Sequence, residues 1–257
     1  MSQVWMIASG KGGVGKSFIT SAMAAALAKR QMQTVAVDAD IGLRNLDLML
    51  GMESKVIYDV VDVVQKDCKL RYALVQDPQL PFLSLLPAAQ MHCASDLTAE
   101  DWAQVIRRLR KHFSYILIDA PAGVDQGMQN ILSCADQTLL VTTADDIAMR
   151  DAERLISLIR KGDKPSPMLV VNRIRADMVR SGYMYSPQTV ALNLDVPLLG
   201  YVPEDPEVLR AFSRHQSLMD ARCPARDAVE RIAKRFMGEY VTMPQPKVRR
   251  QLFGFSG

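Results

Sequence analysis

The sequence lacks a long apolar run, a signal-peptide pattern and any paired cysteine motif. No stretch approaches the roughly 20 apolar residues of a membrane-spanning helix, and the N-terminus does not read as a secretory leader. The cysteines are scattered, with neither CxxC spacing nor pairing with histidine: Cys68, Cys93, Cys134 and Cys223. We therefore expect a cytoplasmic protein whose thiols are reduced.

Excess charge is also lacking over most of the chain. The 257 residues hold 31 basic and 28 acidic side chains, a formal net charge of +3. Residues 247–257 contain Lys247, Arg249 and Arg250 and no acid, so the other 28 cations equal the 28 acids. A neutral body argues against adhesion to nucleic acid through bulk charge, and no specific nucleic acid is expected as a partner.

One glycine-rich stretch carries most of the chemical information. Residues 10–17 have the GxxxxGK[ST] pattern, and they lie between an apolar run at 4–8 and a helical pattern that begins at Phe18. In that setting the backbone N–H groups and the positive end of the helix cradle phosphate. Lys16 can reach the β- and γ-phosphates, and the Ser17 hydroxyl can ligate Mg²⁺. The chain is therefore predicted to bind a nucleoside triphosphate.

Short apolar runs alternate with helical patterns along the rest of the chain. The runs are apolar throughout, as buried parallel strands require, and lie at 34–38, 82–86, 115–119, 138–142, 168–172 and 198–202. Helical patterns lie at 99–113, 148–161, 205–214 and 225–237. This alternation predicts an α/β fold, a doubly wound, mostly parallel sheet with helices on both faces, in one domain over residues 1–243. Residues 244–246 are the predicted hinge to a C-terminal segment ending at residue 257.

Polar residues follow several strands, at the edge of a parallel sheet where ligands bind. Asp119 is predicted to be the Walker-B carboxylate for Mg²⁺, and Gly123 would let the backbone approach the γ-phosphate. Asp38 and Asp40 end the second run, and either acid can orient the attacking water or a metal-bound water. The Asn-Lys-x-Asp run of a guanine site is missing, whereas Asn172 at a strand end can donate to and accept from adenine. The predicted ligand is ATP.

A lysine beside the first glycine sharpens this interpretation. Lys11 gives the KGGVGKS pattern of the deviant Walker-A ATPases, the MinD/ParA family. The block at 40–48, with its RNLD sequence, and the Tyr58-Asp59-Val60-Val61 that follows resemble the MinD-type, cell-division members of that family, as do residues 119–123, 171–175 and 202–205. The similarity runs from residue 4 to the C-terminus. It implies a P-loop NTPase fold and face-to-face dimers around two ATP molecules.

The resemblance also implies roles for individual residues. Lys11 would reach the phosphates of the partner subunit's ATP, and Asp40 would activate water. The expected catalytic set is Lys11, Lys16 and Asp40, and the expected Mg²⁺ set is Ser17, Asp38 and Asp119, with Asp38 as a supporting acid. The expected nucleotide contacts are Gly10, Lys11, Gly12, Gly13, Val14, Gly15, Lys16, Ser17, Phe18, Gly123, Asn172, Pro203, Glu204 and Asp205.

Three departures from the family pattern stand out. Phe18 occupies a position where a second threonine usually helps to hold the α-phosphate, which predicts altered hydrolysis or nucleotide affinity. The run Ala144-Asp145-Asp146 replaces the usual Asn-Pro-Glu near a surface associated with partner binding. The C-terminal segment is not the commonest version in the family.

MinD-type proteins end in a short amphipathic helix that lies on the membrane. On a helical wheel Val248, Leu252 and Phe255 of this chain share one stripe, whereas Phe253 lies off it and Gly254 weakens the helix. One such tail is marginal, because its apolar and cationic contacts barely offset the ordering of the backbone. Two tails on one dimer gain avidity by a factor of roughly 100 or more. ATP-driven pairing therefore predicts ATP-dependent attachment to an anionic membrane, at the inner face of the cell membrane.

The expected function is an ATPase that dimerises on ATP, attaches to the membrane and recruits a MinC-type division inhibitor to control septum placement, with a MinE-type factor stimulating hydrolysis. An FlhG-type flagellar-number regulator would share the site, but the RNLD block and Tyr58-Asp59 favour the MinD-type function. A ParA-type DNA-partition ATPase would need a basic patch, and the cluster Arg107, Arg108, Arg110 and Lys111 spreads around several faces of a predicted helix. An iron–sulfur role is disfavoured because residues 120–128 contain no cysteine.

Overall fold

The computed structural model describes residues 2–91 and 97–246, and its centre is a sheet of eight strands. The strands are β1 (Gln3–Ala8), β2 (Thr34–Asp38), β3 (Val75–Gln76), β4 (Leu83–Leu86), β5 (Tyr115–Asp119), β6 (Gln137–Thr143), β7 (Met168–Ile174) and β8 (Leu198–Pro203). Their order is β3-β4-β2-β5-β1-β6-β7-β8, and every neighbouring pair is parallel except β3 with β4. The predicted doubly wound, mostly parallel sheet is confirmed.

The continuous apolar runs of the sequence correspond to strands covered on both faces. Every residue of β2 and of β5 is buried, so neither strand shows the alternation of a half-exposed one. The predicted run at 82–86 forms β4, which begins one residue later. The sequence did not predict β3, because two residues at an antiparallel edge carry no periodic signal.

Eleven helices of the described residues surround the sheet. They are α1 (Lys16–Lys29), α2 (Leu46–Leu50), α3 (Val60–Gln65), α4 (Leu70–Ala73), α5 (Ala99–Leu109), α6 (Gln126–Cys134), α7 (Asp146–Lys161), α8 (Ala176–Arg180), α9 (Pro187–Leu194), α10 (Pro206–Ser213) and α11 (Pro224–Phe236). The predicted helices are α1, α5, α7, α10 and α11; α1 begins at Lys16 instead of Phe18, and α5 ends at Leu109 instead of residue 113. The short helices α2, α3, α4 and α8 were not predicted, since four to six residues hold too little of the helical period.

The core lies on both faces of the sheet. On one face α3, α5, α6, α7 and α9 pack against the strands, and on the other face α1 and α11 do so. Helix α1 is buried on nearly all sides, because it lies between the sheet and α11. Its small side chains, such as the consecutive Ala24, Ala25 and Ala26, allow that close packing. The rigid placement of α1 fixes the loop that precedes it.

The chain leaves the core along the outer edge strand β8. Arg235 of α11 donates from Nη1 to the carbonyl of Leu199 at 2.9 Å, and from Nε and Nη2 to the carbonyls of Val241 and Thr242 at 2.8 Å each. These bonds hold residues 241–242 against the globule. The membrane residues predicted from the sequence lie outside the described residues: Val248, Leu252, Phe253 and Phe255. Within residues 2–91 and 97–246, no helix combines the length and apolar character needed to cross a membrane.

Candidate functional site: a phosphate loop beside paired carboxylates

The glycine-rich loop joins β1 to α1 at the carboxyl edge of the sheet. Gly15 precedes α1 with a φ of 96°, in the left-handed region that favours glycine, and an added Cβ would lie 2.2 Å from Nδ2 of Asn172. At Gly10 an added Cβ would lie 2.2 Å from main-chain atoms of Asp151 in α7. Glycine is needed at both positions so that the loop can lie close to α7 and to β7.

Three buried polar side chains meet beneath the loop. Nζ of Lys16 donates to Oδ1 of Asp119 at 3.0 Å, and the hydroxyl of Thr20 donates to the same oxygen at 2.9 Å. Sequence reasoning missed Thr20, although its i,i+4 spacing from Lys16 places both on one face of a helix. Nζ of Lys16 has three donors and gives one of them to Asp119, so two remain for phosphate oxygens.

The second oxygen of Asp119 fits the predicted Mg²⁺ site. Oδ2 is buried and has no hydrogen-bond partner among the described residues, which is costly unless a ligand or water satisfies it. Ser17 lies half-buried at the start of α1. Mg²⁺ usually takes few protein ligands together with phosphates and water, and residues 2–91 and 97–246 contain no closed cage of three His, Cys, Asp or Glu side chains. Ser17 and Asp119 would hold the ion, which when bound neutralises charge on the phosphates.

Asp38 ends β2 directly beside Asp119, its partner in the β2–β5 register. Its Oδ1 accepts from the backbone N–H of Asp40 and its Oδ2 from that of Leu46, each at 3.0 Å. Burial, reinforced by the negative charge of Asp119, raises the pKa of Asp38 to about 7. Asp40 is only half-buried, and burial raises its pKa too. Asp38, Asp40 and Asp119 therefore lie at the same carboxyl edge of the sheet, and Asp40 is more accessible than Asp38.

The RNLD block explains how Asp38 is held. Arg44 donates from Nε to Oδ2 of the buried Asp47 at 2.5 Å, across a turn that Arg44 enters with a φ of 44°. That turn places the N–H of Leu46 on Asp38. The block therefore carries a structural role, since it fixes the carboxylate that faces Asp119.

Asp38 predicts a dependence of stability on pH. Its ordinary pKa is 3.8 and its folded-state pKa about 7, so the folded protein keeps a proton that the unfolded chain releases. The stabilisation is complete below about pH 4 and is lost as the pH rises to about 7, at up to ~1.4 kcal/mol per pH unit. Urea unfolding without nucleotide should show this decline, and in Asp38→Asn the slope should shrink by roughly 1 kcal/mol per pH unit. The exposed Asp163→Asn variant is the control, and an unchanged slope in Asp38→Asn would refute the assignment.

The predicted base contacts lie at the ends of β7 and β8. Asn172 is buried and donates from Nδ2 to the carbonyl of Val14 at 2.9 Å, so it also supports the phosphate loop. Asp205 accepts from the N–H groups of Glu207 at 3.0 Å and Ala225 at 3.1 Å. This carboxylate organises the loop that follows β8 by fixing the starts of α10 and α11.

Lys11 lies exposed at the mouth of a cavity of about 350 Å³. The cavity is lined by the phosphate loop, the end of β6 and residues around the end of β7, among them Arg173 in the strand and Arg175 just after it. Asp145, part of the run that departs from the family pattern, caps α7 by accepting from the N–H of Ala148 at 3.0 Å. Lys11 is thus exposed at the surface, whereas Lys16 is buried.

Phe18 is buried in the first turn of α1. Its ring packs edge-on against Phe212 of α10, with the ring centroids 5.9 Å apart. Where a threonine would offer a hydroxyl, this chain has an apolar contact between the phosphate-loop helix and α10. Phe18 therefore connects the first turn of α1, beside the phosphate loop, to α10, which follows the loop after β8.

Comparison with known proteins identifies the fold family. The ParA family model, described as "NUBPL iron-transfer P-loop NTPase", matches residues 1–237. The septum site-determining protein MinD of Helicobacter pylori is 39% identical over 260 residues, covering 98% of this chain and 97% of that protein. MinD of Bacillus subtilis is 39% identical over 246 residues, covering 95% of this chain and 92% of its own length.

The chain belongs to the MinD family. Among solved structures, the MinC:MinD cell division protein complex of Aquifex aeolicus matches with a TM-score of 0.89 at 35% identity, covering 96% of this chain and 100% of that chain. MinD of Pyrococcus horikoshii, complexed with Mg-ADP, matches with a TM-score of 0.83 at 26% identity, covering 92% and 96%. The resemblance inferred from the KGGVGKS and RNLD motifs is therefore confirmed, and the protein is a P-loop ATPase of the MinD family. The roles of its individual residues stay predictions.

Proposed function

We propose that the protein is an ATP-switched, peripheral membrane ATPase that takes part in septum placement. The proposal rests on the different positions of two lysines in one loop. Lys16 faces inward to Asp119, whereas Lys11 lies exposed on the surface that carries the phosphate loop. A second copy facing this surface would receive Lys11 at its own phosphates, so that two nucleotides would be shared by two chains.

The chemistry proposed for the site uses the residues described above. The loop amides and Lys16 bind the β- and γ-phosphates, and Ser17 with Asp119 holds Mg²⁺. Asp40, accessible and with a pKa raised by burial, orients the attacking water, while Asp38 supports the metal-bound waters. Asn172 and residues 203–205 lie on the side where adenine would bind.

The proposed cycle couples pairing to attachment. When ATP closes the dimer, two C-terminal segments reach one anionic membrane surface together, and hydrolysis separates them again. Arg235 supports this cycle because it ties residues 241–242, which precede the tail in sequence, to β8. On the membrane, the dimer would recruit a MinC-type division inhibitor, and a MinE-type factor would stimulate hydrolysis.

The mass of the chain in solution tests the pairing step. With MgADP, light scattering during gel filtration should give about 28.6 kDa, and with Mg²⁺ and a non-hydrolysable ATP analogue about twice that mass. The change is expected because only the γ-phosphate offers Lys11 its contact. Lys16→Ala should stay monomeric in both nucleotides, since it loses the phosphate contact itself. Equal masses of the unaltered chain in both nucleotides would refute the switch.

A further inference from the structure

A second cavity, of about 770 Å³, lies away from the phosphate loop. It opens between the segment that contains α3 and α4 and the last turn of α5. The residues at the end of α5 lead directly into β5, so the cavity is near the amino ends of the strands, whereas the phosphate loop is at their carboxyl ends. Its size is within the usual range of small-molecule sites.

The charge of this cavity is positive, although Asp59 and Asp62 lie close enough for their charges to act on Cys68 in its lining. We call it the basic pocket and define it by five exposed cations that line it: Lys66, Lys69, Arg71, Arg108 and Lys111. Among the described lining residues Asp67 is the one acid. No ion pair within 4.0 Å joins any of the five cations to another described residue, and only Asp96 among the residues outside the described ranges is acidic.

Some of the five cations could be ordinary solvent-exposed helix residues, but this explanation does not fit all of them. Arg108 and Lys111 lie at the C-terminal end of α5, where the helix dipole favours cations. Lys69 lies at the N-terminal end of α4, where the dipole disfavours them. The neighbouring Arg110 pairs instead with Asp136, at 2.6 Å, and does not line the pocket. Two chain segments some 40 residues apart thus converge on one cavity with like charges, whose mutual repulsion a bound anion would relieve.

One of the cations is already oriented. The guanidinium carbon of Arg71 lies 4.6 Å from the ring centroid of Tyr72, and its Nη2 donates to the Tyr72 hydroxyl at 2.6 Å. An arginine held in this way loses less freedom when it binds an anion, and its planar donors suit phosphate oxygens. The floor of the pocket is apolar and includes Val63 and Leu74.

We propose that the basic pocket binds a ligand with two or more phosphate groups. Five convergent cations exceed what a single carboxylate or phosphate would neutralise, and the concave shape suits a compact ligand better than an extended strand. Paired phosphates of this kind occur in soluble polyphosphorylated molecules and in the headgroup of diphosphatidylglycerol. The inference does not rest on the proposed membrane cycle, because the pocket shares no residue with the phosphate loop.

Calorimetric titration with inorganic tripolyphosphate tests this inference. The full chain is first saturated with MgADP to occupy the phosphate loop, and the heat of tripolyphosphate binding to Mg²⁺ is subtracted with a protein-free MgADP titration. We expect saturable binding, and at least a tenfold loss of affinity in the triple variant Lys69→Ala, Arg71→Ala, Lys111→Ala. A control triple variant, Lys55→Ala, Lys161→Ala, Arg180→Ala, removes the same charge from exposed positions elsewhere and should bind within about twofold of the unaltered chain. Thermal melts confirm that both variants fold.

Two further arms complete the experiment. Vesicles that contain diphosphatidylglycerol, whose headgroup carries two phosphates, identify the source of the phosphate when they are tested with MgATP. If the pocket variant sediments less than the control variant, a lipid headgroup is the ligand, and if both sediment equally, the ligand is soluble. Equal tripolyphosphate affinity in the two triple variants would overturn the proposal, as would the absence of a second site after MgADP saturation. Pocket-dependent retention of double-stranded DNA without tripolyphosphate binding would also overturn it and make the pocket a nucleic-acid surface.

Discussion

Replacing Lys11 with alanine is expected to abolish ATP-dependent pairing of the chain and most of its ATP hydrolysis, while the monomer still binds nucleotide. Lys11 is exposed, whereas Lys16 contacts Asp119 and would hold the phosphates of its own subunit. If Lys11 reaches the partner's γ-phosphate, each dimer loses two buried charge contacts. Each contact is worth about 2–5 kcal/mol, so the dimer should weaken by a factor of roughly 1,000 or more.

Light scattering, a nucleotide-binding titration and a hydrolysis assay together test the Lys11 prediction. Lys55→Ala is the matched control, because it removes the same charge from another exposed position. Lys11→Ala should remain near the monomer mass with an ATP analogue and should bind that analogue within a few-fold of the affinity of the unaltered monomer. Loss of nucleotide binding in Lys11→Ala would place this lysine in its own subunit's site and contradict the proposed role.

Removal of residues 247–257 is expected to abolish attachment to anionic vesicles and to leave pairing and hydrolysis in solution unchanged. Each apolar residue of the Val248, Leu252 and Phe255 stripe contributes up to roughly 1.5–3 kcal/mol when buried, and each cation about 1 kcal/mol near an anionic leaflet. Ordering the backbone costs about 1–2 kcal/mol per residue, so one tail is marginal and two are needed. Sedimentation with phosphatidylglycerol vesicles and MgATP measures the loss.

Two single substitutions distinguish an attachment that needs the apolar stripe from an attachment that depends on net charge alone. Leu252→Asp places a carboxylate on the stripe, and Gln251→Asp places the same charge beside it. We expect Leu252→Asp to remain in the supernatant and Gln251→Asp to sediment largely like the unaltered chain. If both variants lose attachment equally, charge alone governs the contact and the amphipathic-helix interpretation is wrong.

The parts of the fold that the sequence revealed are those in which burial leaves a continuous signal. The strands β2 and β5 are buried over their whole length and appear as unbroken apolar runs. The loop motif gave the position of Lys16, and the strand end gave Asp119, because parallel strands gather their carboxyl ends at one edge. The edge strand β3 and the helix α4 are too short for any period to show.

Features that depend on contacts between distant segments could not be predicted from the sequence. Thr20 lies inside an apolar helix, and its bond to Asp119 becomes visible only once α1 and β5 are placed together. The RNLD block gave the family, but its bond from Leu46 to Asp38 is a property of the folded turn. The sequence assigned Arg108 and Lys111 to a dispersed surface, because the cations that join them come from the separate segment around Arg71.

The coupling between nucleotide and membrane is tested most directly by sedimenting the full chain with anionic vesicles in parallel reactions that contain Mg²⁺ with either a non-hydrolysable ATP analogue or ADP. The proposed cycle predicts that most of the protein pellets with the ATP analogue and remains in the supernatant with ADP, because only paired chains present two tails to one surface. Equal pelleting in both nucleotides would contradict it, whatever the mass of the chain in solution.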